Sequence, residues 1–188
     1  MPLQLLFRLS AAAGLALLAL ASTTVHAQGA GGGTSTLVIS GGRNVYASGG
    51  QVRPEAPAEG DFMAAGGRIV LDQRVGGDAA PAGGTVDVGA AVAGDLRVMG
   101  GDITLESSVG GELFATGGQV RLQPGASVAG PARLYGGSVT IEGRIDGTLR
   151  AGAQKVTING EVRGDAHVDG GGVVLGPGAR IGGVLTYA

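Results

Sequence analysis

The chain has 188 residues, a formal charge of −2 at pH 7, 40 glycines and neither cysteine nor tryptophan. The missing cysteine excludes disulfides, thiolate zinc sites, a cysteine nucleophile and a lipidated cysteine, and the near-neutral charge gives nucleic-acid binding no support. A hydrophobic fraction of 44% is too high for a disordered glycine-rich chain, so the glycines must be placed by a rule.

At the start, Arg8 precedes an apolar, small-residue-rich stretch over residues 9–21, which leads to Val25-His26-Ala27, a small-x-small cleavage site. This pattern predicts a cleaved signal peptide over residues 1–27, and hence export to the periplasm or cell surface. Its apolar core is shorter than the roughly 20 residues needed to cross a bilayer, so an uncleaved transmembrane anchor is the less favoured alternative. Removing it takes away one arginine and no acid, so the formal charge moves from −2 to −3. Residues 28–42 are then expected to form a glycine-rich lead-in and an irregular first rung.

From residue 43 onward the chain repeats. Arg43, Gly60, Gly77, Gly94, Gly111, Gly130, Gly147, Gly164 and Gly183 occupy equivalent places, with spacings of 17, 17, 17, 17, 19, 17, 17 and 19. Such regularity signals a solenoid of about eight rungs over residues 43–188. Both longer repeats carry a matching insertion, Pro124-Gly125-Ala126-Ser127 and Pro177-Gly178-Ala179-Arg180, after the same strand. An insertion at one corner should leave the other positions in register.

Five positions of each repeat are apolar: the third, fifth, tenth, twelfth and one near the end. The tenth is the cleanest, reading Val52, Ile69, Val86, Ile103, Val120, Val139, Val156 and Val173. The late position runs from Ala58 and Val75 to Val162 and Ile181. Third alternates with fifth, and tenth with twelfth, at the period of two that marks half-buried strands; helical faces would need spacings of three and four. Gly-Gly pairs such as Gly66-Gly67, Gly83-Gly84 and Gly100-Gly101 separate the two strands and are expected to supply positive φ at tight corners. The fold class is therefore all-β, a single-stranded parallel β-helix with a dry interior and no helices. At about 4.8 Å per rung the rod is on the order of 40 Å long.

The runs GDLRVMGGDITLESSVGG and GELFATGGQVRLQPGASVAG, repeated over residues 43–188, resemble the bactofilins, the polymer-forming cytoskeletal proteins of bacteria. That resemblance implies a right-handed, triangular β-helix. It also implies nucleotide-free polymerisation through the ends of the rods and scaffolding of cell-envelope proteins. An export signal sets this chain apart from that cytoplasmic family.

At the end of the sequence, Gly183-Val184-Leu185-Thr186-Tyr187-Ala188 reads as a half-rung in register with the core and without a capping helix. Exposed apolar columns and unpaired strand edges there invite another molecule, so Val184, Leu185 and Tyr187 are the candidate self-assembly residues. The leading functional expectation is a non-enzymatic, self-assembling envelope scaffold whose partner is itself. Envelope or peptidoglycan-associated proteins are possible further partners, with no cofactor, metal, small-molecule substrate or nucleic acid. The alternative is an exported binding module or stalk that presents a flat β face to a polysaccharide or surface protein. A hexapeptide-repeat acyltransferase is disfavoured because glycine pairs recur every 17 residues rather than every six.

The surface columns are weighed the same way. Asp61, Asp78, Asp95 and Glu112 share the second position, where turn chemistry, each side chain accepting from its own corner, is preferred over bridging by a cation such as calcium. Arg97, Phe114, Arg133, Arg150 and His167 share the fourth, read as a solvated, charge-compensated stripe. His167 has no loop long enough to build a catalytic cleft around it. Thr104, Thr140 and Thr157 form an outward column that Arg121 interrupts.

Overall fold

The computed structural model describes residues 25–27 and 36–188; the expected signal peptide and lead-in lie largely outside these residues. Every regular element among the described residues is a β-strand. Numbering the repeats from Arg43 as rungs 1 to 8, rungs 1 to 7 each carry a long strand, represented by Phe62–Leu71, Ala79–Val88 and Leu96–Leu105, and rung 8 splits it into Ala166–Gly170 and Val173–Leu175. From rung 4 a two-residue strand follows, as at Ser108–Val109 and Ser127–Val128. Parallel pairing between successive rungs makes a stack of coils, a β-solenoid of about eight turns spaced about 17 residues apart.

Register follows the repeat. Ile69 lies on Val86, Val86 on Ile103, Ile103 on Val120 and Val120 on Val139, so the β-branched tenth position stacks like on like. The interior is filled by the predicted columns, with Ile69, Val86, Leu134, Val139, Ile145 and Val156 fully shielded from solvent. No polar or charged side chain is buried among the described residues. That composition is what an all-apolar interior requires, because a polar group there would need a partner the columns do not offer.

Both insertions fall at one corner, as expected. Across the first, Leu105 still pairs with Leu122, 17 residues on, whereas Val109 pairs with Val128, 19 residues on. Across the second, Ile158 pairs with Leu175 and Val162 with Ile181. A tight turn takes up the extra residues, closed by Ala126 N–H donating to Gln123 O at 2.8 Å and Ala179 N–H to Gly176 O at 3.1 Å.

The glycine corners differ from expectation in their physical cause. The long strand runs unbroken through the Gly-Gly pair and bends there, which turns the buried positions from the odd third and fifth to the even tenth and twelfth. Among the described glycines, Gly42 alone has positive φ, 65°. The paired glycines are needed for closeness instead. A Cβ on Gly83, Gly100 or Gly117 would stand 2.6, 2.8 or 2.5 Å from the carbonyl oxygen of the glycine one rung below. A side chain there would force adjacent coils apart.

The N-terminal side is not an irregular rung. Thr36–Gly41 turns back at Gly42 and pairs antiparallel with Asn44–Val52, from Gly41 on Asn44 to Thr36 on Gly49. Val25–Ala27, the end of the expected signal peptide, pairs antiparallel with Thr36–Gly41 in turn. One edge of the first rung is therefore covered by a reversed strand, whereas every later coil is parallel.

Candidate assembly surfaces

The C-terminal rung ends the interior columns in the open. Leu175 stacks on the buried Ile158 yet is 51% exposed, with no described residue paired on its other side. Leu185 registers on Ala166 and Tyr187 on Val168, which places both at the ends of the third and fifth columns. Leu185 is half-buried and Tyr187 is 56% exposed. Val184, 66% exposed, stands at the end of the acidic second-position column. The three predicted residues thus share one end of the rod, in different columns.

The acidic column is a ladder between rungs rather than a set of local turns. Asp61 Oδ1 accepts from the N–H of Asp78 at 3.0 Å, Asp78 Oδ1 from Asp95 N–H at 2.8 Å, and Asp95 Oδ1 from Glu112 N–H at 2.8 Å. Asn44 begins the series on Asp61 N–H at 2.9 Å, and beyond the break at Pro131 a separate step of the same kind joins Asp165 Oδ1 to Val184 N–H at 2.8 Å. The expected own-turn bonding is therefore corrected: Asp61, Asp78, Asp95 and Asp165 each satisfy the next coil's corner, and spacing of one rung brings them within reach. Val184 has no side-chain acceptor, so the ladder stops there. Where Pro131 supplies no N–H, the Glu112 carboxylate pairs with Arg133. The first-position glycines make room for this arrangement, since a Cβ on Gly77, Gly94 or Gly111 would run into the carboxylate below.

The fourth-position column stacks in register, Arg97 under Phe114, then Arg133, Arg150, His167 and Thr186. Arg97 Nη2 lies 3.0 Å from Asp95, which fits a charge-compensated stripe, but Arg150 has no ion-pair partner among the described residues. His167 Nε2 lies 3.4 Å from Asp169 Oδ1 with both side chains exposed on a flat strand. Thr104, Arg121, Thr140 and Thr157 also stack as read, with Arg121 breaking the threonines.

A grouping that the column-by-column reading missed emerges when the fourth and sixth positions are taken together. Both point outward on the same side of the strand, so Tyr46 and Phe114 of the fourth position and Tyr135 of the sixth share one face. The Phe114 and Tyr135 rings approach to 6.1 Å between centroids at 51°. The period of two itself carried that signal. On another face, a shallow groove of about 470 Å³ runs over small residues including Ala91, Ser108 and Ser127, between Arg74 and Arg144. Among the described residues no three histidine or carboxylate side chains converge as metal ligands. Comparison with family models, with curated proteins and with solved structures returns no match, so the chain's own geometry carries the functional reading.

Proposed function

We propose that this protein is a self-assembling structural scaffold of the bacterial cell envelope, exported and polymerising through its terminal rungs in the manner of the bactofilins it resembles. One observation carries the reading: Leu175, Leu185 and Tyr187 of the last described rung stand in core register, yet Leu175 and Tyr187 are more than half exposed and Leu185 is only half-buried. A further rung placed there would bury these side chains and pair the free strand edge, which is the physics that already joins each rung to the next. At roughly 1.5–3 kcal/mol for each large side chain fully buried, this end stores a substantial driving force for association. Flat faces and short corners suit a rod that other molecules are laid along, rather than a site that encloses a substrate.

The test is assembly of the protein isolated after export, followed by sedimentation and electron microscopy. Concentration-dependent growth into filaments is expected, with Leu185→Asp and Tyr187→Asp blocking growth while the β-sheet circular dichroism is retained. Protein that stays monomeric at high concentration would remove the proposal.

A further inference from the structure

Bulky apolar side chains exposed on the described surface fall into two groups. Val174, Leu175, Val184 and Tyr187 belong to the C-terminal rung, while Tyr46, Met63, Met99 and Tyr135, each 38–52% exposed, all stand on the face built from the fourth and sixth positions. Over rungs 1 to 7 those outward positions hold no acid and no lysine. Tyrosine, methionine, phenylalanine and arginine, types enriched in protein interfaces, fill eight of these fourteen positions, and small residues such as Ala82 and Thr116 fill the other six. The face one corner away, by contrast, carries Arg68, Asp87, Asp102, Gln119 and Lys155.

We propose that this face pairs two copies of the chain side by side, face to face, with their axes antiparallel. Three features select a second copy and that direction. The first is charge. The corner carboxylates bordering the face are Asp61, Asp78, Asp95 and Glu112 in rungs 2 to 5 and Asp165 in rung 8, whereas the arginines on it are Arg97 in rung 4 and Arg133 and Arg150 in rungs 6 and 7. A two-fold axis along the strands lays rung 2 over rung 7 and rung 3 over rung 6. Asp61 then meets Arg150 of the second copy, and neither has an ion-pair partner among the described residues. An anionic surface would be repelled by the same carboxylates.

The second feature is shape. In that overlay Tyr135 of rung 6 covers Ala82 of rung 3, and Met99 of rung 4 covers Thr116 of rung 5, so large side chains meet small ones. Arg97 comes over Phe114 in cation–π geometry. The third is area. A face about 40 Å long and five residues, or roughly 16 Å, wide covers on the order of 600 Å² per copy, which gives about 1,200 Å² in total, the lower bound for a stable interface. This lateral contact is separate from end-to-end growth and does not depend on it.

The test uses the exported protein carrying Leu185→Asp, so that the rod ends do not contribute. A dimer is expected by sedimentation velocity, and Tyr135→Asp should raise its dissociation constant at least tenfold with unchanged circular dichroism. The parent has no cysteine, so single cysteines report position without background. Thr116→Cys, next to the two-fold axis, should be joined between copies by a bismaleimide spanning about 10 Å, the distance between packed sheets. Ser48→Cys, about 34 Å from its counterpart, should not. Monomer at 100 µM, or monomer that sediments only with phosphatidylglycerol vesicles, overturns the proposal. Equal cross-linking of both cysteines overturns the antiparallel arrangement. A Leu185→Asp dimer from a parent that never grows filaments would refute end assembly alone.

Discussion

Two glycines serve opposite purposes, and substitution at each should separate them. At Gly100 a Cβ would lie 2.8 Å from Gly83 O and 3.3 Å from both Ile103 Cγ1 and Val86 Cγ2, with φ outside the left-handed region. At Gly42 φ is 65° and nothing lies within 4 Å of the added atom. Gly100→Ala therefore overpacks a junction between coils held by backbone hydrogen bonds, a cost of about 1–3 kcal/mol. The stiffer unfolded chain returns about 0.4–1 kcal/mol, which leaves a net loss of about 1–2 kcal/mol. Gly100→Asn, larger still, should lose more. At Gly42 the order reverses: alanine bears about 1–2 kcal/mol of left-handed strain, and asparagine, which tolerates that conformation, bears less. Urea unfolding followed by circular dichroism measures both series, with Gly100→Ala lowering the midpoint by roughly 0.5–1 M for a slope of about 2 kcal/mol/M. Gly100→Asn no worse than Gly100→Ala, or Gly100→Ala more stable than the parent, would refute the steric account of the corners.

The carboxylate ladder predicts that Asp95→Ala loses about 1 kcal/mol, because Glu112 N–H loses its acceptor, whereas Asp95→Asn stays within a few tenths. Asn44 already performs that task with an amide oxygen, at 2.9 Å from Asp61 N; chemical denaturation of the two variants side by side is the check. Deleting Pro124 and Gly125 should return rung 5 to 17 residues and leave the midpoint within about 1 kcal/mol of the parent, since both flanking ladders are already in register. Loss of the cooperative transition on that deletion would mean that the insertion is required by the core.

What assembles this rod is largely legible in its residues because the interior consists of single-residue columns. Val52 through Val156 recur at one place in each rung, and a period of two on either side leaves a single way to hide them. The insertions at Pro124 and Pro177 were legible for the same reason, since only a shared corner preserves every other spacing. The signal-peptide reading concerns residues outside or at the margin of the described chain, and the structure adds only the antiparallel strand at Val25–Ala27.

The one-dimensional order of the residues determined the β-solenoid, its pitch and its five interior columns, because like residues 17 apart can stack only if the chain coils once per repeat. Tertiary structure alone decided why the corners are glycine, which rung each carboxylate serves and which side chains meet on an outer face. Those are contacts between neighbouring coils, set by a backbone separation near 4.8 Å. A sequence records which residues recur; it does not record that Asp61 reaches across to Asp78, or that Tyr46, Met99 and Tyr135 stand on one surface.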